Sequence, residues 1–382
     1  MQISDLRIAL TSGNYNYVRD GANRALNNLV GWLLERGAAV RVYAPVVEHP
    51  AFEPTGDLIG IQSVPLPFRP EYQVPLGLGA AKRDIDAFKP NIVHLSSPEL
   101  LGHSTLRYAK SRKLPVLASV HTRFETYFRY YGLGALEPLG VAIQRRLYRQ
   151  CDAIVAPSES MADVLRAERM NDDIGIWSRG IDRDVFNRDR RSLDWRRSLG
   201  IADDDFVIAF FGRIVLEKGI DVFGDVIVEL KRRGVAHKVL VIGNGPARDT
   251  FAAQVPDAIF AGHQAGTDLG RAIASADLLL QPSVTETFGN VTSEAMACGL
   301  PVVGADATGT RSLVTDRVTG ALVPPRDIAA YADAIEHYCR KPEAARAAGK
   351  AGERIADGYT WDAVNGSLAA KYLDVIARRV AR

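Results

Sequence analysis

Two glutamates flank a glycine-containing turn in the second half of the chain. Glu286 precedes the turn Phe288-Gly289-Asn290, and Glu294 follows it by about one helical turn. We expect a helix from about residue 290 to 297, with Asn290 as its N-cap. Free amides at a helix start favour anions or hydroxyl groups, and carboxylates accept hydrogen bonds from vicinal diols. The pattern therefore predicts a sugar or ribose site. The alternative is one solvent-facing glutamate and one that ends a strand.

Two cations, Arg213 and Lys218, follow an apolar run at 207–211 that predicts a buried strand. Arginine offers a planar fork to phosphate oxygens, and lysine offers a compact charge. A nucleotide sugar loses a diphosphate that gains negative charge as its glycosidic bond breaks. A preorganised cation can stabilise that charge by about 2.7–4 kcal/mol. The spacing alone also fits ordinary surface cations, but the position at a strand end favours a phosphate site.

The elements that position these residues form a repeating pattern of short apolar runs and longer amphipathic runs. The apolar runs are nearly continuous, which is typical of strands in a parallel sheet that helices cover on both faces. A charged, aperiodic stretch at 180–195 interrupts the pattern and predicts a linker that acts as a hinge. We therefore predict an α/β fold with two doubly wound Rossmann-like domains at 1–183 and 184–363. A C-terminal amphipathic helix at about 364–382 is expected to cross back to the first domain.

Length and composition exclude several classes of protein. The chain has 382 residues, 47% hydrophobic and 24% charged, so it is neither disordered nor fibrous and is long enough for two cores. A net charge of +2 argues against a nucleic-acid-binding protein. Three scattered cysteines form neither a disulfide framework nor a zinc motif. Without a signal peptide or an apolar run of about 18 residues, we expect a cytoplasmic protein with at most peripheral contact on the inner face of the plasma membrane.

The run Glu286–Val303 resembles, at every fixed position, the signature E-x-F-G-x(4)-E-A-M-A-x-G-x-P-V of the family-4 retaining glycosyltransferases. The resemblance implies the GT-B fold, in which two Rossmann-like domains face each other across a cleft. It also implies that Glu286 contacts the transferred sugar and that Glu294 holds the ribose of the donor. The residues implied in the sugar pocket are Phe288, Gly289, Asn290 and Val291.

The cation pair fits the same family. The stretch that holds Arg213 and Lys218 is similar to the family's G-R-x(4)-K-G, which implies that both cations bind the diphosphate. The family resemblance further implies retention of configuration with the leaving phosphate as the group that takes the acceptor proton. No protein nucleophile is then required.

Three positions in other loops follow from the resemblance. His121 ends a predicted strand and stands where the family has a histidine that contacts the transferred sugar. Gly21 stands where the family often carries Gly-Gly beside the diphosphate, although the pair here is Asp20-Gly21, and a simple helix start is the alternative. Gly243 lies in a loop that the family places near the nucleotide.

A basic and aromatic stretch extends from His103 to Gln150. It carries nine basic residues against two glutamates, a net charge of +7. Such a composition suits the headgroup region of an anionic membrane, at about 1 kcal/mol per basic residue, or an anionic acceptor. The alternative is a solvated helix face above core aromatics. The residues predicted to contact the acceptor or the membrane are Arg123, Tyr127, Arg129 and Tyr130.

The stretch Trp177–Phe186 is similar to the W-x-R-G-x-D of lipid-directed mannosyl- and sulfoquinovosyl-type members. We therefore expect a retaining glycosyltransferase without metal or cofactor. It would move a hexose from GDP-mannose, or secondarily a UDP-sugar, to a lipid-linked or glycolipid acceptor. Three D-x-D matches and one G-x-G are set aside, because none has the context that a metal or dinucleotide site needs. The alternatives are a GT-B epimerase or phosphorylase, and a non-catalytic nucleotide-sugar-binding protein.

Overall fold

A computed structural model describes residues 1–18, 20–66, 69–121, 135 and 137–381, and the side chains of all these except 69–71. The chain divides into two compact units. Unit 1 comprises Met1–Gly180 and Trp361–Arg382, and unit 2 is the intervening segment Ile181–Thr360. The sequence places these boundaries three residues further along the chain, at 183/184 and 363/364.

Unit 1 is built on a parallel sheet. Its described strands are β1 (Arg7–Thr11), β2 (Ala39–Pro45), β3 (Asp57–Ile61), β4 (Ser63–Leu66), β5 (Arg69–Pro75), β6 (Ile92–Leu95), β7 (Val116–Ser119), β8 (Ala153–Ala156) and β9 (Ile174–Ile176). The helices between them are α1 (Gly21–Glu35), α2 (Ala81–Phe88), α3 (Leu100–Ser111), α4 (Glu137–Tyr148) and α5 (Glu159–Ala167). Seven strands pair in parallel in the order β3-β2-β1-β6-β7-β8-β9, while β4 and β5 form an antiparallel hairpin.

The continuous apolar runs explain this sheet. Every residue of β6, β7 and β8 is buried. Successive side chains of a strand point to opposite faces, and accordingly Ile8 and Leu10 of β1 enter one core while Ala9 enters another. Helices cover both faces, as the run composition predicts.

Unit 2 repeats the architecture with its own two cores. Its strands are β10 (Val207–Phe211), β11 (Lys238–Ile242), β12 (Ile259–Gly262), β13 (Leu278–Gln281), β14 (Val302–Ala305) and β15 (Gly320–Val323). Its helices are α6 (Leu193–Ser198), α7 (Ile220–Arg232), α8 (Arg248–Gln254), α9 (Gly266–Ala274), α10 (Asn290–Ala297), α11 (Thr310–Leu313), α12 (Ile328–Arg340) and α13 (Pro342–Ala356).

The strand order of unit 2 indicates which end of the sheet is suited to a ligand. The sheet runs β12-β11-β10-β13-β14-β15, all parallel, which is the 3-2-1-4-5-6 order of a Rossmann fold. Successive strands are added on one side of β10 up to β12 and on its other side from β13 onward, so the switch point lies between β10 and β13. Ligands of such sheets bind beyond the carboxyl ends of the strands at this point. The predicted α/β class with two doubly wound halves is confirmed.

The segment 180–195 is not the linker that its charged composition predicts. Phe186 is only 2% exposed and belongs to a core of unit 2. The Arg183 guanidinium donates to the Ala297 carbonyl at 2.7 Å. The boundary between the units lies at the start of this stretch. A few apolar side chains and several backbone contacts fasten residues 181–195 to unit 2, so the interpretation of the whole stretch as a linker is wrong.

The last helix, α14 (Trp361–Val380), belongs to unit 1. Its apolar face, which includes Leu368 and Tyr372, is buried in the core that also contains β1. Where the chain leaves unit 1, Gly180 lies against the Trp361 ring so closely that a Cβ would stand 2.3 Å from Cδ2. The helix therefore completes the first sheet rather than the second.

Candidate functional site

Two loops meet at the switch point of unit 2. The loop after β10 ends in a short 3₁₀ turn, Leu216–Lys218, and then Gly219 with φ of 70°. A Cβ on Gly219 would lie 3.1 Å from the carbonyl group of Pro282, which directly follows β13. The hydroxyls of Ser283 and Thr285 donate to the Glu217 carbonyl at 3.1 and 3.2 Å. Glycine is needed here because the two loops are in backbone contact.

This packing joins two residues that the sequence motifs name separately. Lys218 Nζ donates to Glu286 Oε1 at 2.5 Å. The side chains are 26% and 12% exposed, so the pair is largely shielded from water but still accessible to a ligand. A cation and a carboxylate are thus fixed side by side at the ligand end of the sheet.

Glu286 packs against Gly309, a contact that sequence reasoning missed. Gly309 has φ of 80°, and a Cβ there would lie 2.8 Å from both Cβ and the carbonyl oxygen of Glu286. Only the small-residue run Ala307-Thr308-Gly309 signals this contact in the sequence. Gly309 therefore allows the backbone and Cβ of Glu286 to pack closely against this loop.

The turn into α10 forms where the motif predicts it. The helix bounds, Asn290–Ala297, are those expected, but the N-cap is Gly289 with φ of 99°, so the expectation for Asn290 is wrong by one residue. Only glycine adopts that left-handed conformation without strain. Phe288 is 4% exposed and packs edge-on against Tyr359, with ring centroids 5.6 Å apart. The aromatic ring anchors the turn in the core.

The other residues predicted to bind the nucleotide sugar lie in α10 and in the loop after β10. Val291 is half-buried and lies beside the β10 loop, since a Cβ on Gly212 would be 3.6 Å from Val291 Cγ2. Glu294 is half-buried one turn into α10, and its charge contributes, after burial, to raising the pKa of the Cys298 thiol to about 12. Arg213 is exposed on the β10 loop.

Gly243 has a packing role in this arrangement. Its φ is 143°, and a Cβ would stand 1.9 Å from the Gly212 carbonyl oxygen. Its amide donates to the Gly262 carbonyl at 2.8 Å, and Ile214 donates to the Asn244 carbonyl at 3.0 Å. Gly243 thus allows the backbone of the β11 loop to pack directly against that of the β10 loop.

In unit 1, His121 stands just past β7 with both ring nitrogens in hydrogen bonds. Nδ1 lies 2.8 Å from a guanidinium nitrogen of Arg179, and Nε2 lies 2.8 Å from Ser119 Oγ. Burial of the imidazole, followed by the charge of Arg179 and by His94, lowers the pKa of His121 well below 6.5. His121 is therefore a neutral imidazole with both nitrogens engaged, which does not suit it to acid catalysis. The W-x-R-G-x-D resemblance contains Arg179, but sequence reasoning did not predict its contact with His121.

Gly21 is the first residue of α1, but the helix start already holds a side chain. Asp20 caps it, because its carboxylate accepts from the Asn23 amide at 2.7 Å. This geometry favours the alternative interpretation of Gly21 as a simple helix start.

The predicted acceptor residues Arg123, Tyr127, Arg129 and Tyr130 lie outside the described residues. The described part of the basic stretch includes most of α3 and all of α4. Burial first, and then the charges of Arg146 and Arg107, lower the pKa of His103, so these three basic side chains are clustered. Leu139 and Ile143 of α4 are 59% and 49% exposed. Of the helices that the structure describes, none combines the length and apolar character required to span a bilayer.

Metal-ligating groups are dispersed in the described ranges. No three His, Cys, Asp or Glu side chains among those residues converge in a way that could hold a metal ion.

Family models account for most of the chain. Residues 192–355 match "Glycosyl transferases group 1", and residues 19–185 match "Glycosyltransferase Family 4". The chain is 30% identical to the sulfoquinovosyl transferase SQD2 of Arabidopsis thaliana, over 91% of this chain and 69% of that protein. It is 29% identical to a GDP-mannose-dependent alpha-mannosyltransferase of Mycolicibacterium smegmatis, over 99% of this chain and 100% of that one. A protein of the same name from Corynebacterium glutamicum is 27% identical over 98% of this chain and 90% of its own length.

Solved structures share the fold. A sucrose-phosphate synthase from Thermosynechococcus elongatus superposes with a TM-score of 0.80 at 21% identity, over 97% of this chain and 99% of that one. Anabaena HepE in complex with UDP and glucose superposes with a TM-score of 0.70 at 18% identity, over 96% and 99% of the two chains.

Proposed function

Because the chain belongs to the family-4 glycosyltransferases, enzymes of the GT-B fold that use nucleotide sugars, we propose that it is a retaining hexosyltransferase whose donor is GDP-mannose. The mannosyltransferase relatives support this choice, since they match almost the whole chain. A UDP-sugar is the second candidate, because the HepE neighbour binds UDP and glucose.

The observation that carries the proposal is the contact between Lys218 and Glu286 at the switch point. In the reaction, the bond between the anomeric carbon and the diphosphate breaks, and the acceptor oxygen bonds to that carbon. Lys218 and the exposed Arg213 offset the charge that the diphosphate gains. Glu286 accepts hydrogen bonds from sugar hydroxyls, and Glu294 accepts them from the ribose diol.

Retention without a protein nucleophile is part of the proposal. The acceptor proton passes to a phosphate oxygen of the leaving group on the same face of the sugar. Since His121 is neutral and both its nitrogens are already in hydrogen bonds, it is suited to contact the sugar through its ring rather than to transfer the proton. The two cations offset the charge, so we propose that no metal is needed.

The acceptor is proposed to be lipid-linked or a glycolipid. The exposed Leu139 and Ile143, next to clustered basic side chains, give α3 and α4 the character of an interfacial helix pair. An anionic bilayer attracts each such cation by about 1 kcal/mol.

Membrane binding is tested by flotation with vesicles of phosphatidylglycerol or of phosphatidylcholine alone. We expect flotation with the anionic vesicles only, weakened by Arg107→Ala combined with Arg146→Ala. Arg317→Ala, which removes a 92% exposed cation in unit 2, is the matched control. Equal flotation of both variants, or none with anionic vesicles at low salt, contradicts a membrane surface on α3 and α4.

A labelled-donor assay tests the reaction. GDP-mannose, UDP-glucose and related donors are incubated with the protein and a membrane lipid extract, and the products are separated. We expect transfer to a lipid with the α configuration of the donor retained. Epimerised donor, sugar phosphate or binding without turnover would instead support the epimerase, the phosphorylase or the non-catalytic alternative.

A further inference from the structure

Unit 1 contains a line of buried hydrogen bonds that ends at His121. Tyr372 Oη lies 2.6 Å from His94 Nδ1, and His94 Nε2 lies 2.7 Å from Ser119 Oγ. Ser119 Oγ lies 2.8 Å from His121 Nε2, and Arg179 closes the line at His121 Nδ1. The line joins α14, β6, β7 and the segment after β9.

The groups in this line are shut away from water. His94 and Tyr372 are 0% exposed, Ser119 is 2% exposed and Arg179 is 6% exposed. Trp177, 1% exposed, packs edge-on against both imidazoles, with centroid distances of 5.9 Å to His94 and 5.6 Å to His121. Buried polar groups are costly unless each has a partner, and apolar side chains would fill these positions without that cost.

The chemistry of the partners assigns each proton. A guanidinium only donates, so His121 Nδ1 accepts and the proton of this neutral ring is on Nε2. That proton is donated to Ser119 Oγ, and the Ser119 hydroxyl donates in turn to His94 Nε2. The proton of His94 is then on Nδ1, where it faces Tyr372 Oη. Burial lowers the pKa of His94 to about 3, so this ring is also neutral.

We propose that His94 and Tyr372 are positioning residues which, through Ser119, fix the tautomer and ring orientation of His121. Both are fully buried and act only through His121, by keeping its ring in one tautomer and one orientation where it contacts the transferred sugar. The inference rests on the proposed function only in that His121 meets the sugar. The hydrogen-bonded line itself stands independently of the substrate.

Two substitutions of His94 separate positioning from packing. The amide of glutamine reaches about as far as imidazole Nε2, so His94→Gln can still contact Ser119. The amide of asparagine reaches about as far as Nδ1, so His94→Asn can contact Tyr372 but not Ser119. Imidazole ¹⁵N spectra of the full-length protein report the tautomer of His121 directly. We expect a single Nε2–H tautomer in the native protein and in His94→Gln, and a mixture of tautomers in His94→Asn.

Kinetics provide the second readout. With saturating donor, kcat of His94→Asn is expected to fall by about 10–100-fold, as small misplacements of a reacting group do. The KM for donor should change little, and kcat of His94→Gln should stay several-fold higher than that of His94→Asn.

A tyrosine pair provides a matched control. Tyr372→Phe removes the acceptor of the His94 proton, and we expect that proton to move to Nε2. Tyr331→Phe makes the same change in α12 of unit 2, at a buried hydroxyl without a hydrogen-bond partner among the described residues, and should alter neither spectrum nor kcat. If the His94 variants fail to fold, Ser119→Ala against Ser119→Thr makes the same comparison with smaller changes.

The outcomes of the two experiments are distinguishable. Identical His121 spectra in His94→Asn and His94→Gln, or in Ser119→Ala and Ser119→Thr, overturn the positioning role whatever the enzyme does. If the native protein transfers no sugar from any donor, the proposed function fails while the spectra still test the hydrogen-bonded line.

Discussion

Lys218→Met is the most informative single change, because it removes the charge at the switch point and keeps most of the side-chain volume. Lys218 Nζ is 2.5 Å from Glu286 Oε1, and its side chain is 26% exposed, so its surroundings are intermediate between water and protein interior. At an effective dielectric constant of about 20, two unit charges 4 Å apart interact by about 4 kcal/mol. Loss of one preorganised donor at a developing anion costs about 2.7–4 kcal/mol. We therefore expect kcat to fall by about 10²–10³-fold.

The assay is steady-state transfer from radiolabelled GDP-mannose at saturating concentration, with urea unfolding of the same samples. Lys231→Met is the matched control, since Lys231 also forms a 2.5 Å ion pair in unit 2, with Asp257, but on an exposed surface. We expect it to leave kcat unchanged and to lower stability by less than about 1 kcal/mol. A Lys218→Met enzyme within tenfold of the native rate would refute the role of this cation in leaving-group departure.

Three further predictions concern other features. Gly309→Ala should displace Glu286 and therefore lower kcat as well as the free energy of unfolding. Gly200→Ala, also at positive φ but with open space around it, should lower only the free energy of unfolding; transfer rates and urea midpoints check both variants. Burial lowers the pKa of His94 to about 3 in the folded protein, whereas in the unfolded chain it is about 6.5. The unfolded chain therefore binds a proton first as pH falls below 6.5, and the free energy of unfolding should drop by about 2 kcal/mol at pH 5. Urea unfolding at pH 7.5 and pH 5 should show this loss, and His94→Gln should remove it. Addition of EDTA should leave the transfer rate unchanged, and a rate that collapses and recovers with a divalent cation contradicts metal independence.

Local patterns were sufficient for strands that are buried on both faces. The apolar runs predict β1 at Arg7–Thr11 and β2 at Ala39–Pro45 with the observed bounds, because a strand buried on both faces leaves a continuous signal. The same signal does not mark the hairpin of β4 and β5, where the residues of β4 are half-buried or exposed and the pairing shifts register between Pro65 and Leu66.

The sequence named residues for the candidate site but could not give their contacts. The motifs place Lys218 and Glu286 at two strand ends, yet only the strand order brings them to 2.5 Å. Gly309 and the line from Tyr372 to His121 were missed, because their contacts connect positions that are far apart in the chain and that carry no local periodicity. The N-cap error at Asn290 has a local cause, since a glycine in the left-handed conformation took the cap position.

The return of α14 to unit 1 has a consequence for biosynthesis. A ribosome that has finished Gly180 must translate the 180 residues of unit 2 before it supplies the helix that covers the first sheet. At about 5–20 residues per second that interval is about 10–40 s, during which the apolar surface around β1 stays open in the nascent chain. Unit 2 can complete its own cores in that time. The later-made unit is therefore expected to reach its native state first, while the earlier one stays incomplete until α14 has been made.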